Sequence, residues 1–592
     1  MFQTFDVTAR PEQGPPRLAQ LRAEMARHGL AGFIVPKADV HQGEYVAPRD
    51  DRLAWLTGFT GSAGFAVVLD DQAGVFVDGR YRVQVKSQVA EDFTPVDWPE
   101  VQLADWVRPR LSESDLGFDP WLHSLRQYRD LERGLNGSGI VLTRCGNLID
   151  TIWEDQPAPP MEPVHLHPDA LAGRTSAEKR AELAAGLKTL GAAVAVITLP
   201  DSLCWLLNIR GTDIPRNPVA HGFALVHVDG TVDLFMAAAK LGDVDLGPDV
   251  RQHAPDDFSA ALAKLDGPVL VDPETVPLAV VDAITAEVVE GRDPCVLPKA
   301  CKTEAELDGM RAAHLRDGVA MCEFLAWLDD EAPGDLTEID VVTALEGFRR
   351  ESNQLRDISF ETISGSGPNG AIVHYRVNEE TNRKLADGEL LLVDSGGQYA
   401  DGTTDITRTM AVGTPPPEAV AAFTRVLRGM IAMSCARWPK GLAGRDLDVL
   451  ARMPLWQAGQ DYGHGTGHGV GAYLSVHEGP ARLARTGTEP LLAGMVLSNE
   501  PGFYREGAFG IRIENLLTVR AAPALPGGTV DGMLEWETLT FVPIDRRLIA
   551  PDMLTADERR WLNEYHATCR QLLRDRLGNR AALWLDAATA EI

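Results

Sequence analysis

The chain has 592 residues, 45% of them apolar, and 85 acidic against 56 basic side chains give a formal net charge of −29. That length holds three to four domains with ordinary buried cores. So negative a balance excludes nucleic acid and anionic membrane as partners, and favours the approach of cationic peptides.

No run of about twenty apolar residues suits a membrane span. The opening Met1-Phe2-Gln3-Thr4-Phe5-Asp6-Val7 lacks the basic region and apolar core of a secretory signal. Seven cysteines without paired spacing fit reduced thiols, so a cytoplasmic protein is expected.

In chain order, an amphipathic helix is predicted over Leu18 to His28, then an apolar strand over Ala31 to Val35, an aromatic turn at Leu53-Ala54-Trp55-Leu56 and a strand pair ending near Asp78. The Pro-rich stretch from Asp155 to Pro163 reads as a linker. The series then repeats: a helix over Ser176 to Leu190, a strand over Ala192 to Ile197, the turn Leu203-Cys204-Trp205-Leu206 and strands ending near Leu234. Helices alternating with strands imply α/β layers, and duplication is the simplest account of the likeness. A second break falls around Pro294 to Pro298. A long charged helix follows from Thr303 to Asp330, opened by a capping box at Thr303 and Glu306. The expected domains are 1–160, 161–297 and 298–592, the last closed by a helical tail from Thr555 to Asp586 that packs on it.

The last domain carries the chemistry. Asp394 ends the apolar run Leu390-Leu391-Leu392-Val393, and Asp405 follows beyond Gly396-Gly397 and a turn signal at Asp401-Gly402. A two-residue turn there would set Gln398 opposite Asp405, so a bulge at the doubled glycine is expected to bring the two carboxylates together. His468 lies in His464-Gly465-Thr466-Gly467-His468-Gly469. Each interior glycine costs a helix about 1 kcal/mol, so a glycine-lined loop is predicted, through which backbone and imidazole approach a ligand closely. Glu500 ends a strand stopped by Pro501 and Gly502. Glu514 lies in Ile511-Arg512-Ile513-Glu514, where period-two geometry sets Arg512 and Glu514 on one face and the isoleucines on the other. His374 and His477 are two further histidines at strand ends.

Taken singly, each of these is an ordinary turn, strand-end or loop residue. Together, four carboxylates cannot all ionise in one place without a counter-charge, because like charges a few ångströms apart raise one another's pKa. Two divalent cations would balance them. Oxygen-rich ligation with one imidazole favours Mn²⁺, with Co²⁺ or Zn²⁺ able to occupy the same ligands, and a water bridging two such ions can attack a carbonyl near neutral pH. The inventory Asp394, Asp405, His468, Glu500, Glu514 is that of a two-metal hydrolase.

The blocks LLLVDSGGQYADGTTDITRT, HGTGHGVGAYLSVHEGP, NEPGFY and GIRIEN resemble the metallopeptidase family that contains methionine aminopeptidase, prolidase and aminopeptidase P, whose catalytic domain has the pita-bread fold. HQGEYVAP at 41–48, with TGFTGSAG and DGRY, is similar to the long three-domain members that act before proline. The likeness spans essentially the whole chain, with no departure at a ligand position. It implies an α/β (α+β) protein: two creatinase-like N-terminal domains, then a pita-bread domain. It further implies that Asp394 holds one metal, that His468 and Glu500 hold the other, and that Asp405 and Glu514 bridge. Glu500 doubles as proton acceptor from the attacking water. His374, His464 and His477 contact substrate or the oxyanion, Arg512 orients Glu514, and Arg80 contacts substrate.

The expected activity is removal of one N-terminal residue from peptides with proline second, by a protein that forms homodimers as its three-domain relatives do. The proline preference rests on resemblance alone. A prolidase acting on Xaa-Pro dipeptides is the near alternative, but those enzymes lack the second N-terminal repeat. A non-catalytic pita-bread binding module is the alternative from another class, and such proteins have lost metal carboxylates that are intact here.

Overall fold

The computed structural model describes residues 1–592. They form two compact units, one of Thr8–Asp169 with Arg174–Val296 and the other of Met1–Val7, Ala170–Gly173 and Leu297–Ile592.

The first unit holds two six-stranded sheets built alike. In spatial order one runs Thr94–Asp97, Ala73–Val77, Phe65–Leu69, Gly32–Pro36, Asp115–Phe118, Val141–Arg144. The other runs Val250–His253, Val232–Phe235, Phe223–His227, Val194–Ile197, Val269–Val271, Val288–Glu290. Numbered along each half, both orders are 4-3-2-1-5-6. In both, strand 2 is antiparallel to strands 1 and 3, and the remaining pairs are parallel. A repeated domain would leave this pattern.

Helices Gly14–Arg27 and Ser176–Leu190 precede the two sheets. The first begins ahead of the predicted Leu18 because Pro15 and Pro16 fit a first helical turn, where no amide hydrogen is needed. Thr175 and Glu178 cap the second reciprocally, and Gly191, at φ 71°, ends it. Alternation along the strands sends Ile34, Val67 and Phe76 into a core shared with Val196, Leu225 and Phe235 of the other sheet. Phe33, Val35, Ala66 and Val68 point the other way, onto Leu18, Leu21 and Met25 of the helix. Burial on both faces is why these strands read as continuous apolar runs. Residues 156–164 carry neither helix nor strand, whereas the break at Pro294 to Pro298 contains a short helix, Val296–Ala300.

The second unit is framed by helix Glu304–Glu331, whose capping box at Thr303 and Glu306 forms as predicted. A three-stranded sheet pairs Glu389–Ser395 with Ile363–Ser366 on one side and Ile406–Val412 on the other. A six-stranded sheet runs Arg437–Pro439, Met533–Thr538, Asn515–Ala521, Val496–Asn499, Gly467–Gly469, Glu478–Leu483. Hairpin Gly502–Arg505/Phe509–Arg512 stands beside them. Helices Pro417–Ser434 and Gly444–Trp456 cover this assembly, and the tail is two helices, Ala556–Leu573 and Asn579–Ala588. Leu562, Tyr565 and Cys569 of the tail share the core of Val426, Ile511 and Ile513.

Candidate metal centre

The Asp394–Asp405 hairpin differs from the predicted one. Tyr399 pairs with Gly402, so the turn residues are Ala400 and Asp401. The same register continues through Gln398 opposite Thr403 to Asp394 opposite Thr407, with no inserted residue. Asp405 then stands across from Gly396, two positions along from Asp394 on the same face. Gly396 is still decisive, for a different reason than a bulge. A Cβ there would lie 2.0 Å from the Thr404 carbonyl and 2.1 Å from Ser359 Oγ. Gly402 is glycine because helix Glu304–Glu331 presses on it: a Cβ would meet Met310 Sδ at 3.0 Å and Ala313 Cβ at 3.0 Å.

His468 sits on a three-residue strand, Gly467–Gly469, inside the six-stranded sheet and not in a loop. Its flanking glycines admit neighbouring backbone: a Cβ on Gly467 would fall 1.9 Å from the Ser498 carbonyl, and one on Gly469 would fall 2.3 Å from the Glu478 carbonyl. The imidazole Nδ1 donates to the Gly469 carbonyl at 3.0 Å, so Nε2 is the ring nitrogen turned to the cluster and, in the neutral ring, the one able to ligate. That Nε2 lies 3.5 Å from Asp405 Oδ2 and 3.5 Å from Glu500 Oε1. Glu500 follows the strand Val496–Asn499, and Ser498 Oγ both donates to Glu500 Oε1 at 3.2 Å and accepts from His468 N at 3.0 Å.

Glu514 occupies a break between strands Phe509–Arg512 and Asn515–Ala521. Ligand atoms of Asp405, His468 and Glu514 lie within 4.8 Å of one another. Each of two carboxylates has one anchored oxygen and one open one. Asp394 Oδ2 accepts from Arg512 Nη2 at 2.6 Å, and Glu514 Oε2 accepts from Thr407 Oγ1 at 2.8 Å. Asp394 Oδ1 and Glu514 Oε1 are buried without a hydrogen-bond donor.

Burial, reinforced by Asp394 and Glu500, holds the Asp405 carboxyl well above the usual range. Glu514 is raised in the same way, by burial and then by Asp405, Asp394 and Glu500. Buried acceptors without donors, raised acids and an imidazole nitrogen beside them are a donor set that could hold cations. Asp394, Asp405, His468, Glu500 and Glu514 all suit that purpose.

Arg512 differs from its expected partner. It pairs with Asp394 directly and reaches Glu514 only through Thr407, whose hydroxyl accepts from Arg512 Nε at 3.1 Å. Burial opposes its charge, but Tyr504, Asp394 and Glu500 hold its pKa well above the ordinary value. Arg512 Nη1 donates to Tyr504 OH at 2.6 Å, and that hydroxyl lies 2.9 Å from His464 Nε2. Burial pushes the Tyr504 phenol up to about 12, so it stays protonated as the link between them.

His477 stands edge-on to His468 with ring centroids 4.3 Å apart. His374 is half-buried, and the carbonyl of Val373 before it accepts from Arg512 Nη2 at 3.4 Å, so its segment borders the cluster. Buried Glu338 fixes that segment: it accepts from Ser366 N at 2.7 Å, Tyr375 OH at 2.9 Å and Asn369 Nδ2 at 3.0 Å. Arg80 belongs to the other unit, where Asp78 binds it at 2.7 Å and Glu44 at 3.4 Å.

Tyr504, Thr407 and Glu338 carry no signal of their own in the sequence. Thr407, two residues after Asp405 in a strand, was nonetheless readable as facing the same way.

Fold and cluster define a pita-bread hydrolase scaffold preceded by creatinase-type domains. Residues 17–152 and 155–306 each match a creatinase/prolidase N-terminal domain, residues 308–521 match metallopeptidase family M24 and residues 532–592 match the C-terminal region of that family. A probable Xaa-Pro aminopeptidase P from Neosartorya fischeri is 39% identical over 584 residues, 93% of this chain and 88% of that one. The crystal structure of an X-prolyl aminopeptidase from Caenorhabditis elegans, described as a cytosolic enzyme with a di-nuclear active site, matches with a TM-score of 0.93 at 34% identity, covering 98% of this chain and all 100% of that one. A dipeptidase from Mycobacterium ulcerans, at 25% identity and a TM-score of 0.52, covers 64% of this chain. The chain belongs to metallopeptidase family M24, among its long Xaa-Pro aminopeptidase members.

Proposed function

We propose that the chain is a dinuclear-metal aminopeptidase that removes the first residue of peptides with proline second. The observation that carries this reading is the pair of buried carboxylate oxygens without donors, on Asp394 and Glu514, turned into a cluster with Asp405, His468 and Glu500. Asp394 would hold one cation, His468 and Glu500 the other, and Asp405 and Glu514 both. Two divalent cations, Mn²⁺ in this reading and Co²⁺ or Zn²⁺ in its place, supply Lewis acidity that brings the pKa of a water near neutrality.

The chain's own groups do the rest. Glu500 accepts the proton released by the attacking water. The segment bearing His374 and the strand end bearing His477 border the cluster, where imidazole N–H groups can meet the oxyanion as charge develops on the scissile carbonyl. His464, held by Tyr504, is assigned to the substrate, and Arg80 is assigned a substrate contact in the assembled enzyme. Arg512 pairs with Asp394 and fixes its orientation.

Cleavage before proline needs a dedicated site, because the imide nitrogen has no hydrogen to donate and the ring fixes φ. That preference draws its support from the near full-length likeness to Xaa-Pro aminopeptidases. A homodimer and a cytoplasmic location belong to the same reading, consistent with a relative described as cytosolic and with no helix long and apolar enough to cross a membrane.

Release of the first residue from Arg-Pro-Pro, Arg-Ala-Pro and Arg-Pro, with and without Mn²⁺ and a chelator, tests the assignment. Metal-dependent cleavage of the first peptide alone is expected. Cleavage of the third alone would make the protein a prolidase, cleavage of the second alone would remove the proline claim, and no metal-dependent cleavage at all would leave a binding module.

A further inference from the structure

Arg408 lies on the strand Ile406–Val412, directly after Thr407, and is 2% exposed with no carboxylate within salt-bridge distance. Burying a guanidinium without an acid is a poor route to stability, because its desolvation must be met by neutral dipoles alone. Here every N–H has an acceptor. Nε donates to the Pro543 carbonyl at 3.1 Å, Nη1 to the carbonyls of Thr407 at 2.9 Å and Glu514 at 2.6 Å, and Nη2 to the Val542 carbonyl at 2.8 Å and Asn515 Oδ1 at 2.8 Å. Tyr565 OH, from the C-terminal helix Ala556–Leu573, lies 3.0 Å from the same Nη2 and donates to the Val542 carbonyl at 2.9 Å.

Two of these acceptors, the carbonyls of Thr407 and Glu514, bear directly on Glu514. Glu514 N donates to the Thr407 carbonyl at 3.1 Å, Glu514 O accepts from Arg408, and Glu514 Oε2 accepts from Thr407 Oγ1 at 2.8 Å. Because Glu514 occupies a gap between two strands, its single backbone bond to the Thr407 carbonyl stands outside any continuous ladder. Arg408 replaces the missing ladder, and its fork-shaped donor set is what lets one side chain span three segments.

We propose that Arg408 is a positioning residue that aims Glu514 at the metal cluster, and that Tyr565 makes the C-terminal helix part of this support. This rests on the assignment of Glu514 as a metal ligand.

The test is Mn²⁺ binding to the metal-free full chain by calorimetry, together with melting temperature and a kcat and KM split. Arg408→Lys keeps the charge but cannot span three segments. It is expected to bind Mn²⁺ roughly tenfold more weakly, at the low end of what loss of an outer partner costs, and to lose kcat with little change in KM. Tyr565→Phe keeps the ring and is expected to shift affinity the same way by a smaller factor. His566→Gln is the control, since His566 is on the same helix and accepts from Ile544 N at 3.1 Å while making no hydrogen bond to Arg408. It should lower the melting temperature and leave affinity unchanged.

Wild-type affinity in Arg408→Lys would overturn the proposal. So would affinity losses in all three variants that merely track their melting temperatures. If Arg408→Lys does not fold, wild-type affinity in Tyr565→Phe overturns it. A wild-type chain that binds no Mn²⁺ would instead sink the metal-site reading beneath it.

Discussion

Replacing Asp405 by Asn removes one negative charge at constant size, and the direction of its effect on stability depends on metal. The ligand atoms of Asp405 and Glu514 lie within 4.8 Å. Two unit charges at about that separation repel by about 3 kcal/mol at an effective dielectric constant of 20. Burial, then Asp394 and Glu500, raise the Asp405 carboxyl, and burial, then Asp405, raise that of Glu514, so at pH 8 the folded protein bears either repulsion within the cluster or the cost of holding a proton.

Asp405→Asn relieves this strain, and the chelated variant should melt a few degrees above the chelated wild type. With cation at about a hundred times its dissociation constant the wild type gains about 2.7 kcal/mol, and the variant, short of a bridging ligand, gains little. Turnover should fall at least about a thousandfold, equivalent to about 4 kcal/mol of transition-state stabilisation. Thermal melts with chelator and with Mn²⁺, alongside turnover, read all three quantities. A chelated variant that melts below chelated wild type, or one that keeps normal turnover, would refute the reasoning.

Glu338→Gln should flatten the pH dependence of stability. Burial raises the folded Glu338 carboxyl to about 7 against 4.5 in the unfolded chain, so the native state holds the proton more tightly. Its contribution is therefore lost as pH rises from 4.5 through 7, by about 3 kcal/mol, and melts across that range in wild type and variant should show the slope and its loss. Gly467→Ala should cost at least about 3 kcal/mol and metal binding with it, because the new methyl carbon meets a backbone carbonyl at 1.9 Å, and denaturation with metal analysis checks both. Tyr504→Phe removes the hydroxyl between Arg512 and His464, and kcat on Arg-Pro-Pro should fall about tenfold with the fold intact by circular dichroism.

The candidate ligands stood out in the sequence because each closes a distinct local pattern, such as an apolar run ending in Asp or a strand stopped by Pro and Gly, and the structure brings Asp405, His468 and Glu514 together. What stayed hidden was set by close approach between distant segments. Gly402 looked like a turn residue, but it is small because Met310 of the long helix sits against it, and the turn falls one residue earlier. The glycines beside His468 looked incompatible with regular structure, yet they are what allows a strand there, since neighbouring carbonyls occupy the space of any side chain. Arg512 was readable as facing the same way as Glu514, but its partner, Asp394, is 118 residues away, and only the tertiary register brings them together. The matched strand orders of the two N-terminal sheets were foreshadowed by the repeated helix, strand and aromatic turn.

The central claim is most directly tested by counting cations against turnover. Metal-free protein is titrated with Mn²⁺, bound metal is measured by elemental analysis, and cleavage of Arg-Pro-Pro is followed at each step. The account predicts saturation at two cations per chain, with activity absent in the stripped protein and complete only as the second site fills. Full turnover by protein carrying less than one cation per chain would contradict it.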